Sequence, residues 1–297
     1  MRRFPMWMHI PVLITLALPG TSPGTSPGAS PAKSDTTAVK AELMAADRAL
    51  AQLAARGGAE VVLRALDPRA AVLFPGQPVL RGAAESRAPF IARYSKPSTF
   101  AWRPVHAVAG VDGRFGCTFG YSRFFNSADT LKSARKGTYI TCWEKARNGK
   151  WRIVGTERND SPPGDLVLAD TTALPGAPHS ATTSFQGSAL IDAQDADSLF
   201  AVFGERPSGP APAFLRYIAD DGLLIGPTEF PRGKAGVEKA FEGYPSADRV
   251  ITWRPLRSFG AGSGGLAFTV GHSVSGPRPG KTGRSVNQKY MSVWRQE

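Results

Sequence analysis

The sequence has few of the residues that build metal sites. Its 297 residues include two cysteines and four histidines. His9 lies in a leader-like N-terminal stretch and His179 in a linker-like stretch, which leaves His106 and His272 far apart in the sequence. No group of these residues has the spacing of metal ligands, and neither a P-loop nor a dinucleotide-binding fingerprint is present. We therefore expect no metal and no cofactor.

A serine nucleophile is not indicated either. The stretch "GHSVSG" from Gly271 resembles a G-x-S-x-G nucleophile elbow, but Ser275 stands where the last glycine belongs. The stretch also lies within a predicted strand, whereas the elbow needs a turn from a strand into a helix. These two departures exclude the elbow.

No apolar run reaches the length of about 20 residues that a membrane-spanning helix needs. The N-terminus "MRRFPMWMHIPVLITLALPG" has a basic start and a short apolar run, Ile10–Leu18, which favours a signal peptide over residues 1–20. An uncleaved membrane anchor is the alternative. Residues 21–38 are rich in Ser, Pro and Gly and predict a linker. We expect a secreted or periplasmic protein with no membrane span after cleavage, or a membrane-anchored one if the signal stays.

The basic charge does not indicate a nucleic-acid partner. Lysine and arginine number 36 against 24 aspartates and glutamates, a formal net charge of +12. These basic residues are scattered singly, and no recognisable nucleic-acid-binding motif accompanies them. A solvated basic surface explains the excess.

One unusual segment occurs twice. "AWRPVHAVAGVDGRFGCTFGYS" at residues 101–122 returns as "TWRPLRSFGAGSGGLAFTVGHS" at residues 252–273, so that Trp102 aligns with Trp253. The same offset pairs Tyr139 with Tyr290 and needs no gap. Each copy is about the size of an independent domain and too large for a solenoid unit. The sequence therefore predicts a tandem duplication of one domain.

The repeat sets the predicted boundaries: a first domain at residues 39–160, a linker at 161–183 and a second domain at 184–297. The second copy ends at the position that matches Ala146, so it has no counterpart of the strand in "GKWRIVGTERND". A sheet without its last strand would present an edge of unpaired backbone groups. We expect the linker segment "GDLVLADTTAL", the first domain or a second chain to cover that edge, which makes a homodimer or an inter-domain contact possible.

The first copy reads as helices followed by strands. Leu43, Leu50 and Leu53 recur at helical spacing before Gly57, and "AEVVLRAL" and "AAESRAPFIARY" predict two further helices. "AAVLFPG" and "PVLRG" predict short strands, and four strand-like runs follow, separated by turn signals. Helices packed on one face of a curved antiparallel sheet make an α+β fold.

These elements resemble the SnoaL-like, nuclear-transport-factor-2-like superfamily, and in particular one of its domain-of-unknown-function families. The family pattern is W-x-P, G-x-x-G-x-T-x-G, G-x-Y-x-x-x-W and G-x-W. The first copy carries it at Trp102, Pro104, Gly113, Gly116, Thr118, Gly120, Gly137, Tyr139, Trp143, Gly149 and Trp151. The second copy carries Trp253, Pro255, Gly264, Thr269, Gly271, Tyr290 and Trp294, with Ala267 and Gln288 replacing glycines.

The resemblance implies two tandem cone-shaped domains, each a cystatin-like roll, but it says little about function. The fold is shared by isomerases, cyclases, dehydratases and binding proteins. Isomerase-type members use a carboxylate base in an apolar cone with hydroxyl donors. In this chain the resemblance implies four catalytic candidates, which are Asp47, His106, Tyr139 and Glu144.

The repeat does not support a catalytic set that both copies share. Tyr139 is kept as Tyr290, but Glu144 aligns with Arg295 and His106 with Arg257. An enzyme with one active and one degenerate copy stays open. Aromatic residues are better retained, and they either fill the core or line a pocket for a small apolar ligand. The pocket candidates are Trp102, Tyr121, Tyr139, Trp143, Trp253, His272, Tyr290 and Trp294.

The two cysteines, Cys117 and Cys142, fall opposite each other if their strands pair as a hairpin. Their counterparts Phe268 and Val293 are apolar, so both positions are predicted to face a core. A buried thiol pair and a disulfide are both open.

Three functional classes therefore remain. The leading hypothesis is a secreted ligand-binding or accessory module. A cone-type enzyme predicts a buried acid or histidine beside a tyrosine in the first copy, and a structural or interaction protein predicts filled cones with an apolar patch between domains.

Overall fold

The fold was obtained as a computed structural model that describes most of both predicted domains. The described residues are 15–18, 36–74, 76–94, 99–125, 135–160, 189–206, 208–226, 230–242, 248–260 and 265–296. The predicted linker at 161–183, most of the linker at 21–38 and most of the predicted signal peptide lie outside them. None of the helices in these ranges combines the length and the apolarity that crossing a bilayer requires.

The first unit spans residues 36–160 and has the predicted order of helices and strands. Its elements are α1 (Thr37–Gly57), α2 (Ala59–Ala65), β2 (Leu66–Leu73), β3 (Val79–Arg81), α3 (Gly82–Tyr94), β4 (Thr99–Ala109), β5 (Phe115–Phe125), β6 (Arg135–Lys145) and β7 (Trp151–Asp160). A short strand, β1 (Thr15–Leu18), precedes them.

Helix α1 packs on the sheet through a narrower stripe than the leucine spacing predicts. Leu43 and Asp47 are buried one turn apart, as residues at i and i+4 should be. Leu53, which we expected on the same stripe, is 53% exposed. The helix ends at Gly57, and Gly58 follows with a φ of 65°, which suits a residue without Cβ.

The six strands of the first unit form one sheet in the order β3-β2-β7-β6-β5-β4. The predicted meander β4 to β7 is antiparallel throughout. Strand β2 pairs with β7 in parallel, however, so the sheet is mixed and not purely antiparallel as expected. The last strand of the meander, β7, lies beside β2, which precedes the meander in the chain, and the two strands run in the same direction.

The second unit spans residues 189–296 and repeats helices before strands. Its elements are α4 (Ala189–Gly204), α5 (Ala211–Tyr217), α6 (Gly233–Ala240), β8 (Arg249–Gly260), β9 (Leu266–Pro277) and β10 (Val286–Gln296). The fold class is thus α+β, as predicted, with helices packed on each sheet.

The outer edge of β10 is covered by an unexpected segment. Thr15–Leu18 pair in parallel with Val293–Gln296, which gives the sheet order β1-β10-β9-β8. We expected the linker, the first domain or a second chain to provide this cover. The covering strand instead comes from the apolar N-terminal run that we interpreted as part of a signal peptide, because that run offers four extended residues to the open edge.

The two units agree in local backbone detail. The β4–β5 ladder has an irregularity between Pro104 and His106, and the β8–β9 ladder has one between Pro255 and Arg257. Proline lacks the N–H that a regular ladder would use at this point.

Helices α3 and α6 begin with the same backbone conformation. Gly82 and Gly233 begin α3 and α6 with φ values of 57° and 58°. A Cβ at either glycine would lie within 2.7 Å of a backbone oxygen, that of Pro68 or of Asp220. Both positions therefore require glycine.

The faces of the two sheets that point away from the helices pack against each other. This inter-unit core joins Phe115, Phe119 and Ile140 of the first unit to Phe268 and Met291 of the second. Gly155 lies so close to Phe268 that a Cβ at that position would be 2.5 Å from its Cζ. The two sheets thus share one buried interface.

Polar contacts also cross this interface. Thr138 Oγ1 donates to the carbonyl of Gly226 at 2.6 Å. Lys289 Nζ donates to the carbonyl of Phe74 at 2.8 Å. Burial raises the pKa of Glu157 to about 8, and the nearby charge of Lys289 acts in the opposite direction.

Candidate functional site

A carboxylate is buried between helix α1 and the sheet of the first unit. Asp47 is 1% exposed. Trp102 Nε1 donates to its Oδ1 at 2.7 Å, and the Tyr139 hydroxyl donates to its Oδ2 at 2.7 Å. Burial raises the pKa of Asp47, although these hydrogen bonds and the charge of Arg158 act to lower it. Asp47 therefore ties α1 to both β4 and β6.

The second unit contains the same kind of pair. The Tyr290 hydroxyl donates to Asp197 Oδ2 at 2.9 Å, and Asp197 is fully buried on α4. Burial also raises the pKa of Tyr290, and the neighbouring carboxylate raises it further. A buried acid bonded to a strand tyrosine is thus common to both units.

A tryptophan–threonine pair accompanies the acid in each unit. Trp143 Nε1 donates to Thr118 Oγ1 at 2.9 Å, and Trp294 Nε1 donates to Thr269 Oγ1 at 3.0 Å. All four side chains are buried. An Asp–Tyr–Thr–Trp arrangement is thus common to both units.

The two units differ in the hydrogen bonds that their buried acid accepts. Both oxygens of Asp47 accept a hydrogen bond, whereas Asp197 Oδ1 has no partner among the described residues. Burial raises the pKa of Asp197 to about 7, against the lowering effect of its hydrogen bonds. Near neutral pH, Asp197 therefore carries a proton in a large part of the molecules.

A buried arginine distinguishes the first unit further. Arg158 on β7 is 8% exposed, and its guanidinium carbon lies 4.3, 4.8 and 4.9 Å from the ring centroids of Phe100, Trp102 and Tyr139. Its Nε and Nη1 atoms are buried without a hydrogen-bond partner in the described part of the chain. Aromatic faces attract such a cation but accept none of its in-plane hydrogen bonds.

Aromatic side chains occupy much of both interiors. In the first unit Tyr94 packs on Phe100, whose ring stacks on Trp102 with centroids 5.1 Å apart. In the second unit Phe200 contacts both Trp253 and Trp294. Six of the eight pocket candidates lie in these interiors, namely Trp102, Tyr139, Trp143, Trp253, Tyr290 and Trp294.

The other two pocket candidates lie elsewhere. Tyr121 packs edge-on to Phe230 in the inter-unit core, with ring centroids 5.1 Å apart. His272 is exposed on β9. Both side chains lie on the face of their sheet that points away from the helices, because residues one position apart on a strand point to opposite sides.

Two of the catalytic candidates also lie outside the interior. His106 is half-buried, and its ring contacts Phe119 of the inter-unit core. Glu144 is 39% exposed at its side chain and forms an ion pair of 3.4 Å with Arg69. Only Asp47 and Tyr139 come together in the interior, so the set of four does not assemble.

The Glu144 position has a second-unit counterpart with the opposite charge. Arg295 forms a two-bond ion pair with Asp221 at 2.9 and 3.2 Å. The first unit thus joins a basic residue before the meander to an acid on β6, and the second unit joins an acid to a basic residue on β10. The residues aligned at positions 144 and 295 thus each have a partner of opposite charge.

The cysteines lie on the inter-unit face. Cys117 and Cys142 are directly opposite each other on β5 and β6, and they form a disulfide in the structure. Both are fully buried in the core between the two sheets. If the bond forms in solution, alkylation without reductant will add no label to the denatured chain, whereas two labels would show a buried thiol pair.

Sequence reasoning missed Asp197 and Arg158. Asp197 stands 150 residues after Asp47, whereas the strand residues stand 151 apart. A separate alignment of "AADRAL" with "DADSLF" would have found it. Arg158 gave no repeat signal, because the aligned second copy has no residue at that position.

The comparisons with known proteins concern the fold. No protein-family profile and no curated protein matches the chain. A cystatin-like domain of unknown function from Nostoc punctiforme is 18% identical with a TM-score of 0.36, and the match covers 43% of this chain and 80% of that one. The resemblance stands at the level of the fold.

Other similar structures share this range of similarity. A nuclear-transport-factor-2-like superfamily protein from Salmonella enterica serovar Typhimurium is 16% identical, with a TM-score of 0.34 over 46% of this chain and all of that one. An LEH-like epoxide hydrolase from M. tuberculosis is 14% identical, with a TM-score of 0.31 over 41% of this chain and 80% of that one. Each match covers about half of the chain.

Proposed function

We propose that this protein binds a small, largely apolar molecule in the interior of its first unit and has no catalytic activity of its own. The observation that carries the proposal is the contrast between Asp47 and Arg158. Asp47 accepts hydrogen bonds from Trp102 and Tyr139, and the tyrosine bond recurs at Asp197 in the second unit, which suits a tie between helix and sheet. Arg158 keeps two buried donors among aromatic rings, which suits binding.

The test is a thermal-shift screen of the full chain against small aromatic and aliphatic compounds, followed by calorimetry on those that raise Tm. A saturable shift with a defined stoichiometry would support binding. Tyr290→Phe serves as a control, because it alters only the second unit and should leave the affinity unchanged. Failure of every compound to raise Tm would count against the proposal.

A cone-type enzyme with an active first unit is the second candidate. The observation in its favour is that Asp47 is buried, has a raised pKa and lies beside Tyr139. The same acid–tyrosine pair occurs in the second unit at Asp197 and Tyr290. A structural tie between helix and sheet explains both pairs at once.

Matched variants distinguish the structural tie from the enzyme hypothesis. Tyr139→Phe and Tyr290→Phe each leave a buried carboxylate short of one donor, so each should lower the free energy of unfolding by about 1–3 kcal/mol. Similar losses in urea unfolding would support the structural tie. A much smaller loss for Tyr139→Phe would favour a functional role for that hydroxyl and the enzyme reading.

We further propose that the two units arose by tandem duplication. The shared Asp–Tyr–Thr–Trp arrangement, the matching ladder irregularities and the charge-exchanged ion pairs support this origin. Two copies would let one unit keep a binding interior while the other serves as its packing partner.

We also propose export to the periplasm or the exterior, on the basis of the basic start and short apolar run at the N-terminus. N-terminal mass analysis of the protein recovered from cell fractions tests this. A mature chain that begins near residue 20 in an exported fraction would support cleavage. A full-length chain in the same fraction would mean that the run stays, paired with β10 or anchored in the membrane.

A further inference from the structure

We propose that the first unit binds the carboxylate of a small aromatic acid, with Arg158 as the residue that holds the anion. This inference rests on the proposed binding function and names the chemical class of its ligand. It depends on the placement of Arg158 and on the neighbours that it has and does not have.

Arg158 occupies the interior because β7 pairs with β6, where it stands opposite Tyr139. The strand alternation sends its side chain to the helix-facing side, among Phe100, Trp102 and Tyr139. Glu157, the preceding residue, consequently lies on the inter-unit face. Of these two neighbouring residues, Arg158 is the one whose side chain lies in the interior of the first unit.

The charge of Arg158 has no direct counterion in the described part of the chain. Burial lowers the pKa of Arg158 and the charge of Asp47 acts in the opposite direction, but the side-chain hydrogen bonds recorded at Asp47 come from Trp102 and Tyr139 and not from Arg158. The buried Nε and Nη1 have no acceptor among the described residues. Buried donors are normally hydrogen-bonded, and a guanidinium hydrogen-bonds most strongly to an oxyanion.

The surroundings favour an aromatic body for this anion. The rings of Tyr94, Phe100 and Trp102 form a continuous series with centroids 4.5 and 5.1 Å apart. Planar rings attached to a carboxylate would stack with such a series while the carboxylate accepts from the guanidinium. A single negative charge is the complement of a single buried cation.

The second unit supplies an internal contrast. It repeats the buried acid and its tyrosine, but its buried side-chain atoms without a hydrogen-bond partner among the described residues are Asp197 Oδ1 and Ser292 Oγ, and neither carries a positive charge. The described second unit therefore offers an anion no buried cationic donor without a partner. The full chain should therefore bind one aromatic acid, not two.

The experiment is titration calorimetry of the full chain with benzoate and 2-naphthoate, compared with benzamide and 2-naphthamide. The variants are Arg158→Met, Arg158→Lys and, as a control, Arg147→Met, which removes an exposed arginine in the β6–β7 turn. We expect the acids to bind at one site, and the amides to bind about tenfold or more weakly. Arg158→Met should abolish the preference, Arg158→Lys should keep part of it, and Arg147→Met should change nothing.

Thermal unfolding without ligand separates binding from a structural role. Arg158→Met removes a buried cation that lacks hydrogen-bond partners, so its Tm should equal or exceed that of the wild type. A lower Tm with an unchanged acid-to-amide ratio would show a structural arginine and overturn the inference. If acids and amides bound with equal affinity, and Arg158→Met changed neither affinity, the inference would also be overturned. The proposed binding function would then stand. Absence of binding by all four probes would overturn the inference, and the thermal-shift screen then decides the proposed binding function separately.

Discussion

Asp47 and Asp197 show how neighbours set the chemistry of an acid within one fold. Both are buried on the first helix of their unit, and burial raises the pKa of each. Asp47 receives hydrogen bonds at both oxygens and feels the charge of Arg158, which all favour its ionised form. Asp197 has one unsatisfied oxygen, and its pKa rises to about 7.

The raised pKa of Asp197 gives a prediction about stability and pH. The folded chain holds the Asp197 proton up to about pH 7, whereas the unfolded chain releases it near the ordinary value of 3.8. The stabilising contribution is therefore complete below about pH 4 and is lost as the pH rises through 7, by at most about 4 kcal/mol. Asp197→Asn cannot titrate, so its unfolding free energy should fall less between pH 4 and pH 8.

Urea unfolding at a series of pH values measures this difference. Asp195→Asn is the matched control, because Asp195 is exposed on the same helix and its replacement should leave the wild-type pH dependence unchanged. Identical pH profiles for Asp197→Asn and the wild type would contradict the prediction.

At the scale of elements, the two faces of strand β7 have different roles. One face of β7 brings Arg158 into the first interior, and the other brings Gly155 against Phe268 of the second unit. In the second unit β1 occupies the corresponding edge beside β10. The described second unit therefore has a covered sheet edge without an interior arginine.

The close approach of β7 to β9 predicts a steric penalty at Gly155. In Gly155→Ala the new Cβ would lie 2.5 and 2.7 Å from Phe268 Cζ and Cε2. The sheets must separate or Phe268 must move, which should lower the unfolding free energy by about 1–3 kcal/mol. Urea unfolding provides the measurement.

A second variant assigns the penalty to that contact. Phe268→Leu removes the ring atoms that the new Cβ would meet, so it should cost less in the Gly155→Ala background than in the wild type. Strictly additive losses would show that the two positions do not interact.

At the scale of the whole molecule, the two units fold around a shared core. The sheet face with Phe115, Phe119, Ile140 and Val154 is buried against the second unit. The same face holds the disulfide and Glu157. Separating the units would expose a large apolar surface, and such surfaces favour association.

This arrangement predicts the behaviour of the first unit alone. A fragment of residues 36–160 should dimerise through the exposed sheet face, with a second copy replacing the second unit. Light scattering after size-exclusion chromatography gives the mass. Phe119→Asp in the fragment should restore the monomer, because it places a charge in the centre of the contact. A monomeric wild-type fragment would contradict the prediction.

The sequence predicted the elements well because their signals are local. Leucine spacing and Gly57 marked α1, and turn residues separated the four strands of the meander within a few positions. The resemblance pattern gave the helix-on-sheet arrangement. Pairing of β2 with β7 was not predictable, since parallel neighbours far apart in the chain leave no turn signal between them.

The candidate site could be predicted only in part. Asp47 and Tyr139 were proposed from the resemblance, and they meet in the structure. His106 and Glu144 were proposed on the same basis, but strand alternation and an ion pair with Arg69 place them elsewhere. Residue type suggested what each could do, but not which face of the sheet each would occupy.

The sequence by itself determined the repeated segment, the α+β class and the aromatic residues that both units bury, because periodicity and spacing act over a few neighbouring residues. The tertiary structure alone decided which acid meets which donor, which segment covers β10 and which arginine lies in an aromatic interior. Those facts depend on residues such as Asp47 and Arg158, 111 positions apart in the sequence, whose distance and exposure to water are fixed only when the sheets and helices pack.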